Sequence, residues 1–443
     1  MGDSSDATVG AALDQLRRVD RTVAQNAEAA WNSLTSGESL QTVSQLQVQD
    51  FLWYHLPVKF LTSLDDKIAV ATALGQLFER VLMPRYADLC TRDTTREVLA
   101  AYERDVSEGK EAYRRASEAS GVLPPDLPEL GWGSPMGAAE AGAFGAVACA
   151  LELAIASGEL RPGVSGWRGR RRERARAYLS QPRPELGGST HLHLILGERV
   201  QDWANSNAEP RTRMLASVAT WLLDDRGVPS GAEHALAPLS WLLNCTDDSL
   251  RLTARGNLAR ATVLEMTQRF GWWRGRPSAP QSEMDVVEVQ VVRDLAESVG
   301  ALRRRGSRLY LTTTGKRLRG DTSALWEAMV AKLASGDGFP AAVAELALAV
   351  LLPGNPHETP DLVETVAQVV AAEGWRERET GSCPDAEAVA VALREIREFL
   401  VAMSLVRPPE PASWPPVLQL NEVGQAAALA ALRARATAPP RQP

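Results

Sequence analysis

Lysine is nearly missing from this chain: Lys59, Lys67, Lys110, Lys316 and Lys332 are the only lysines among 48 basic residues, and the rest are arginine. Cysteine is also sparse. Cys90, Cys149, Cys245 and Cys383 lie far apart and form no CxxC pair, which argues against a zinc ribbon or a disulfide framework and fits a reducing cytoplasm. Aromatics make up only 6% of residues, which favours helices over sheets. No long uncharged apolar run is present. The most apolar stretch, 136–157, is interrupted by Glu140 and Glu152 and falls short of the roughly 20 residues a membrane span needs, so a buried helix is expected there and no membrane contact. The polar, acidic start from Met1 to Asp6 does not read as a secretory signal.

The common catalytic strings are missing too. There is no Walker loop, no dinucleotide fingerprint and no HExxH, nor a Gly-x-Ser-x-Gly elbow. His191-Leu192-His193 is the one histidine pair, and no cysteine or carboxylate follows at ligand spacing before Glu198, so neither a metal nor a cofactor is expected. Asp65-Asp66, Asp224-Asp225 and Asp247-Asp248 sit where helices begin or end, which suits caps better than acid–base chemistry. A non-enzymatic role is expected.

What the chain does have is a string written three times in its carboxyl half. Leu250-Arg251-Leu252-Thr253-Ala254-Arg255-Gly256, Leu309-Tyr310-Leu311-Thr312-Thr313-Thr314-Gly315 and Leu418-Gln419-Leu420-Asn421-Glu422-Val423-Gly424 share the pattern L-x-L-[T/N]-x-x-G. Alternating leucines suit a short half-buried strand, and the Thr or Asn after them is a good helix N-cap. The rest reads as helices. Apolar periodicity predicts one over 7–34, with Leu13, Leu16, Val19, Val23 and Ala27 on one stripe, and one over 40–56 that stops at Pro57. Another is expected over 94–120. The Gly- and Pro-rich stretch 121–135 then interrupts, so residues 1–249 form a helical region open to division there into two subdomains.

From residue 250 the rhythm changes. A strand is expected at 250–252, a helix at 254–270, and a helix at 283–299 with Met284, Val287, Val291 and Leu295 on its core side. Strands at 301–303 and 307–311 flank a tight turn at Arg304-Arg305-Gly306, and a helix over 315–333 closes the unit. This order of helix, helix, strand, turn, strand, helix resembles the winged-helix superfamily, helix-turn-helix relatives whose hairpin is called the wing. A looser copy follows. Helices at 341–352, 361–373 and 385–403 lead to a strand at 405–407, a proline-rich wing (Pro408, Pro409, Pro411, Pro415, Pro416), a strand at 418–420 and a helix over 424–435. The expected fold is therefore mainly α, with a helical amino-terminal region, winged-helix-like units at 250–333 and 334–436, and a disordered tail from 437. The resemblance covers 250–435 and rests on pattern, without a diagnostic motif. In composition the chain also resembles proteins of high-GC bacteria.

Charge separates the two units. Residues 1–250 carry a net −8, residues 251–333 a net +7 and residues 334–443 a net −6. A winged helix ordinarily places the helix before the wing in the major groove. Here that helix holds Glu283, Asp285, Glu288, Asp294 and Glu297 against a single Arg293, so phosphates would repel it. The positive groups lie elsewhere: Arg303, Arg304, Arg305 and Arg308 on the wing, Lys316, Arg317 and Arg319 just after it, and Arg251, Arg255 and Arg260 on the earlier junction. One reading is a DNA- or RNA-binding protein that grips the phosphate backbone through its wing, with Trp272 and Trp273 able to stack on bases or else to fill the gap behind the wing. The arginine run 168–176 could extend that surface. A basic hairpin paired with the protein's own acids is the plainer reading. The functional alternative is a protein–protein adaptor or homo-oligomeric scaffold, with Val389, Leu393, Ile396 and Leu400 of the 384–403 helix as its seam or as simple core.

Overall fold

The structure, a computed structural model, describes residues 3–36, 39–205, 208–224, 227–246, 249–274, 276–377, 380–408 and 417–439. The protein is mainly α, and the chain falls into two compact units, one built on residues 1–195 and the other on 196–438.

In the first unit, α1 (Asp3–Val19), α2 (Arg21–Thr35), α3 (Gln45–Asp50), α4 (Leu56–Lys59) and α5 (Leu64–Arg80) pack with α6 (Pro84–Thr91), α7 (Asp93–Arg104) and α8 (Val106–Ser120). Their core centres on Leu52, Leu74, Leu77 and Phe78, all fully buried. Next come α9 (Ala138–Ala156) and α10 (Trp167–Ser180), which with Ile195 of α11 (His191–Ala204) bury Val147, Leu151 and Leu179. By length and apolarity α9 could cross a membrane. One face of it is buried in this unit, and its two carboxylates are partnered: Glu140 accepts from the Gly133 N–H (2.6 Å), and Glu152 from the Gln45 N–H and the Tyr86 hydroxyl (both 2.7 Å).

Three stripes that read as single helices are each broken by an aspartate. Asp20, Asp105 and Asp321 turn extended and cap the following helix through their side chains, separating α1 from α2, α7 from α8, and α16 (Thr313–Gly320) from α17 (Thr322–Leu333). Val19 stands at the first break and is exposed, so it leaves its expected stripe, and Val106 just after the second is exposed as well. Pro57 does not end its helix. A π-helical turn over Phe51–His55 precedes it and lets the proline sit in the first turn of α4, where no N–H partner is needed.

The second unit begins well before residue 250. It takes in α11 from Leu196 onward, then α12 (Glu209–Ala219) and α13 (Ala232–Cys245), and α13 packs on α15 (Val287–Ser298) in a core that also takes in the carboxyl half. The physical reason is burial: Val289, Val292 and Leu295 of α15 need a second helix as cover, and the two-residue β1 (Leu250–Arg251) cannot supply it. After β1 come α14 (Arg260–Phe270) and α15, then β2 (Leu302–Arg305) and β3 (Arg308–Leu311), which form an antiparallel sheet in the order β1-β3-β2. The expected helix over 254–270 starts late because Thr253 to Gly256 form a turn, with Gly256 in the left-handed region. Helix α15 also starts late, at Val287 after a 3-10 turn, and this shift of phase leaves Met284 65% and Val287 38% exposed where they were expected in the core.

The arrangement then repeats. Helix α18 (Phe339–Leu351), β4 (His357–Glu358), α19 (Thr359–Ala372) and α20 (Ala386–Ala402) lead through Val406, which bridges to Leu420, into β5 (Val417–Leu418) and α21 (Glu422–Ala436). Here β5 pairs antiparallel with β4, as β3 does with β1. Thr312 caps α16 by accepting from the Gly315 N–H (2.9 Å), and Asn421 caps α21 by accepting from the Gly424 N–H (2.8 Å). The Thr312 N–H donates to the Ala301 carbonyl (3.0 Å) and the Asn421 N–H to that of Leu405 (3.1 Å). Both repeats share one core, in which α15 packs against α20. Of the second wing only Pro408 is described; Pro409, Pro411, Pro415 and Pro416 lie outside the described residues, as do Asp225, Asp247 and Asp248 and the tail from 440.

The two capping glycines are sterically obligatory. A Cβ on Gly315 would collide with the Ala301 carbonyl, and one on Gly424 with the Leu405 carbonyl. Alanine at either position is expected to destabilise the unit by about 1–3 kcal/mol. Gly320→Ala, in open space, is expected to be neutral or slightly stabilising. Urea denaturation of the three variants checks this.

Candidate nucleic-acid interface

The wing expected from sequence is a β-hairpin. Its strands run over 302–305 and 308–311 where 301–303 and 307–311 were expected, so Arg304 and Arg305 belong to the first strand and the loop is Gly306-Ser307. Gly306, at φ +58°, supplies the left-handed residue that a two-residue hairpin loop needs.

Strand register decides which arginines meet. Arg251 pairs with Arg308 across β1 and β3, and Arg308 pairs with Arg305 across β3 and β2. Directly opposed residues share a sheet face, with Cβ atoms about 4.5–5.5 Å apart. Three guanidinium-bearing side chains thus rise in one row from one face. In the next row Tyr310 stands opposite Arg303, also outward, with its side chain 37% exposed. The inner face is apolar: Leu309 and Leu302 are buried, and Leu252 and Leu318 lie in the same core. Arg304 opposes Leu309 and lies at the margin, its guanidinium against Gly256 and its Nε donating to the Gly306 carbonyl (3.1 Å).

The row is not neutralised. Arg251, Arg305 and Arg308 are exposed, as are Arg255, Arg303, Arg304, Lys316 and Arg317. Among the described residues none of these eight is ion-paired, whereas Arg211, Arg213, Arg293 and Arg435 of the same unit pair with glutamates. Among the described residues, then, no carboxylate pairs with the hairpin's arginines. Arg308 makes one polar contact, donating from Nη1 to the Ser249 hydroxyl (2.7 Å).

The other expected members are more scattered. Lys316, Arg317 and Arg319 are exposed on α16, which begins at the far end of β3 from the arginine row. Arg255 rides on the turn beside Gly256, against which Arg304 lies. Arg260 opens α14 and donates to the Pro280 carbonyl (3.3 Å), so it belongs to a different edge. Trp272 packs partly buried against Phe270 (ring centroids 5.1 Å). Trp273 donates to the Ser278 carbonyl, and Arg276 covers its face at 4.4 Å. Neither tryptophan stands in the outward rows. The arginine run on α10 belongs to the first unit and is largely satisfied there: Arg168 and Arg171 pair with Glu118, Arg174 with Glu159 and Arg176 with Glu129.

Helix α15 is a structural element here. Glu283, buried, accepts from the Leu258 N–H (2.6 Å) and pairs with Arg293 (2.9 Å), which also holds Glu297 and donates to the Gly256 carbonyl (2.9 Å). Burial opposes the Arg293 charge, but its bonds to Glu297 and Glu283 outweigh this and raise its pKa. Burial raises the Asp294 pKa, and Arg293 only partly offsets it. These contacts fix the 253–258 turn beneath Arg304. On the opposite side Val389, Leu393, Ile396 and Leu400 of α20 are buried within the unit, so this stripe is core. An open apolar groove of about 890 Å³ lies between α19 and the start of α20, lined by Val363, Ala367, Ala371, Pro384, Ala386 and Ala390.

Sequence reasoning found the hairpin arginines but missed Tyr310 and the alignment of Arg251 with Arg308 and Arg305. The signal was present in the repeated string: antiparallel pairing of Leu250 with Leu309 fixes the arginines beside them. Elsewhere, His191 stacks on Tyr178 (5.7 Å, 13°), and among the described residues no three His, Cys, Asp or Glu side chains gather as a metal site. Comparison with protein-family models, curated proteins and solved structures finds no match to this chain.

Like charges directly opposed across strands destabilise a sheet by about 0.2–1 kcal/mol per pair. Arg308 takes part in two such pairs. Arg308→Thr, which keeps a good strand former, is therefore expected to raise the unfolding free energy by about 0.5–1 kcal/mol at low salt, with the gain shrinking as salt screens the repulsion. Urea midpoints at two salt concentrations test this, and a destabilised variant would contradict it.

Proposed function

We propose that the carboxyl unit binds nucleic acid, as a winged-helix-like module that grips the phosphate backbone with its wing instead of reading a groove with α15. The observation that carries this reading is the row Arg251–Arg308–Arg305, exposed, unpaired and held together against its own repulsion. Three guanidinium groups held side by side, with no carboxylate pairing with them among the described residues, are preorganised for an anion with several charges, and arginine forks match phosphate oxygens. Contacts of this kind position a polyanion without reading sequence. The packing of α15 against α20 and the exposed acids Asp285, in the turn before it, and Asp294 on it speak against insertion of that helix. On this reading the protein is non-enzymatic and works in the cytoplasm.

The test is a titration of the full chain against labelled nucleic acid over a range of salt. With about three to five phosphates engaged, log K is expected to fall with log salt at a slope of about −2 to −4. Reversing the row (Arg251→Glu, Arg305→Glu, Arg308→Glu) is expected to abolish binding, and the same changes at Arg168, Arg172 and Arg174 of α10 to leave it intact. Equal binding by the row variant and the wild type would overturn the proposal and return attention to an adaptor role.

A further inference from the structure

The outward face of the sheet carries more than charge. Tyr310 sits in the middle of the central strand β3, one row along from the arginines, with Arg303 directly opposite it. Residues two apart on one strand face are about 7 Å apart, and neighbouring strands about 4.8 Å. An exposed ring is thus set within a few ångströms of the triple-arginine row and beside a fourth arginine. Tyr310 is 37% exposed, while Leu309 and Leu311 on either side supply the strand's inward contacts.

We propose that this face takes single-stranded nucleic acid, with Tyr310 stacking on an unpaired base while Arg251, Arg305 and Arg308 hold adjacent phosphates. This deepens the reading above and rests on it. The choice of single strand over duplex follows from shape and from the ring. In a duplex the base faces are occupied by their neighbours, so an aromatic on a short, open sheet has nothing to stack on. The helix that a winged helix ordinarily places in the groove, α15, is packed against α20. Aromatic platforms among arginines bind unpaired bases regardless of sequence.

The experiment is fluorescence anisotropy on the full chain at low salt. The probes are oligo(dT) and oligo(U) of about 15 nucleotides and a mixed-sequence duplex of the same length. Wild type is expected to bind at least one single strand more tightly than the duplex, and the stronger of the two assigns the strand to DNA or RNA. Tyr310→Ala is expected to weaken single-strand binding about 5- to 150-fold, the span of one lost base stack. It should leave duplex binding within about two-fold, and Tyr310→Phe should keep wild-type affinity. Tyr310→Thr, a non-aromatic strand former, stands in if the alanine variant melts early by circular dichroism. Equal or tighter duplex binding that reversal of the row still abolishes would overturn this inference and leave the broader reading standing. Loss of affinity on both probes alike, or on neither, in the non-aromatic variants would also overturn it. No binding of any probe by the wild type would remove both.

Discussion

The register of one four-residue strand governs this protein's most distinctive surface. In β3 the buried Leu309 alternates with the exposed Arg308 and Tyr310, and a slip of one residue would drive an arginine into the core and expose the leucine. Burying a leucine side chain is worth about 1.5–3 kcal/mol, more than the repulsion between opposed arginines. The apolar underside therefore holds the arginine row in a geometry that its own electrostatics disfavours. Around this strand the unit adds further constraints: β1 along one edge, β2 along the other through the Gly306 loop, and the buried Glu283–Arg293 pair that fixes the 253–258 turn beneath Arg304.

The repeat shows how one local device is used twice with different outcomes. Thr312 and Asn421 cap helices in the same way, and Gly315 and Gly424 are each pressed against a backbone carbonyl. The matching position after the third helix is Gly300 in the first copy and Ser404 in the second, both in the left-handed region (φ +69° and +53°). Yet the strand residues differ. Arg308, Leu309 and Tyr310 of the first copy correspond to Val417, Leu418 and Gln419 of the second, so the scaffold recurs and the charge does not. Packing α15 against α20 then turns the two copies into one core.

Much of this was legible in the sequence, for reasons that can be named. The repeated string gave the strands and two of its three caps, because alternating leucines and a Thr or Asn followed by Gly are local signals. The hairpin was readable from Gly306 and the leucines around it. The breaks at Asp20, Asp105 and Asp321 were missed because the apolar stripe on either side looks continuous and a cap is a single residue. The division near residue 195 was hidden because membership of a core depends on contacts between distant helices, such as α13 with α15. At the site, the charges were visible but their alignment was not, since a cross-strand row exists only once register is known. Trp272 and Trp273 illustrate the reverse case, a suggestive pair that packs locally.

The most direct test of the arginine face is photocross-linking of the full chain to a bromouracil-substituted oligonucleotide, followed by mapping of the modified peptides. Adducts on residues of the 302–311 hairpin and its neighbour strand at 250–251 are the result expected. Adducts confined to α10, to the groove between α19 and α20, or to no peptide at all would contradict it.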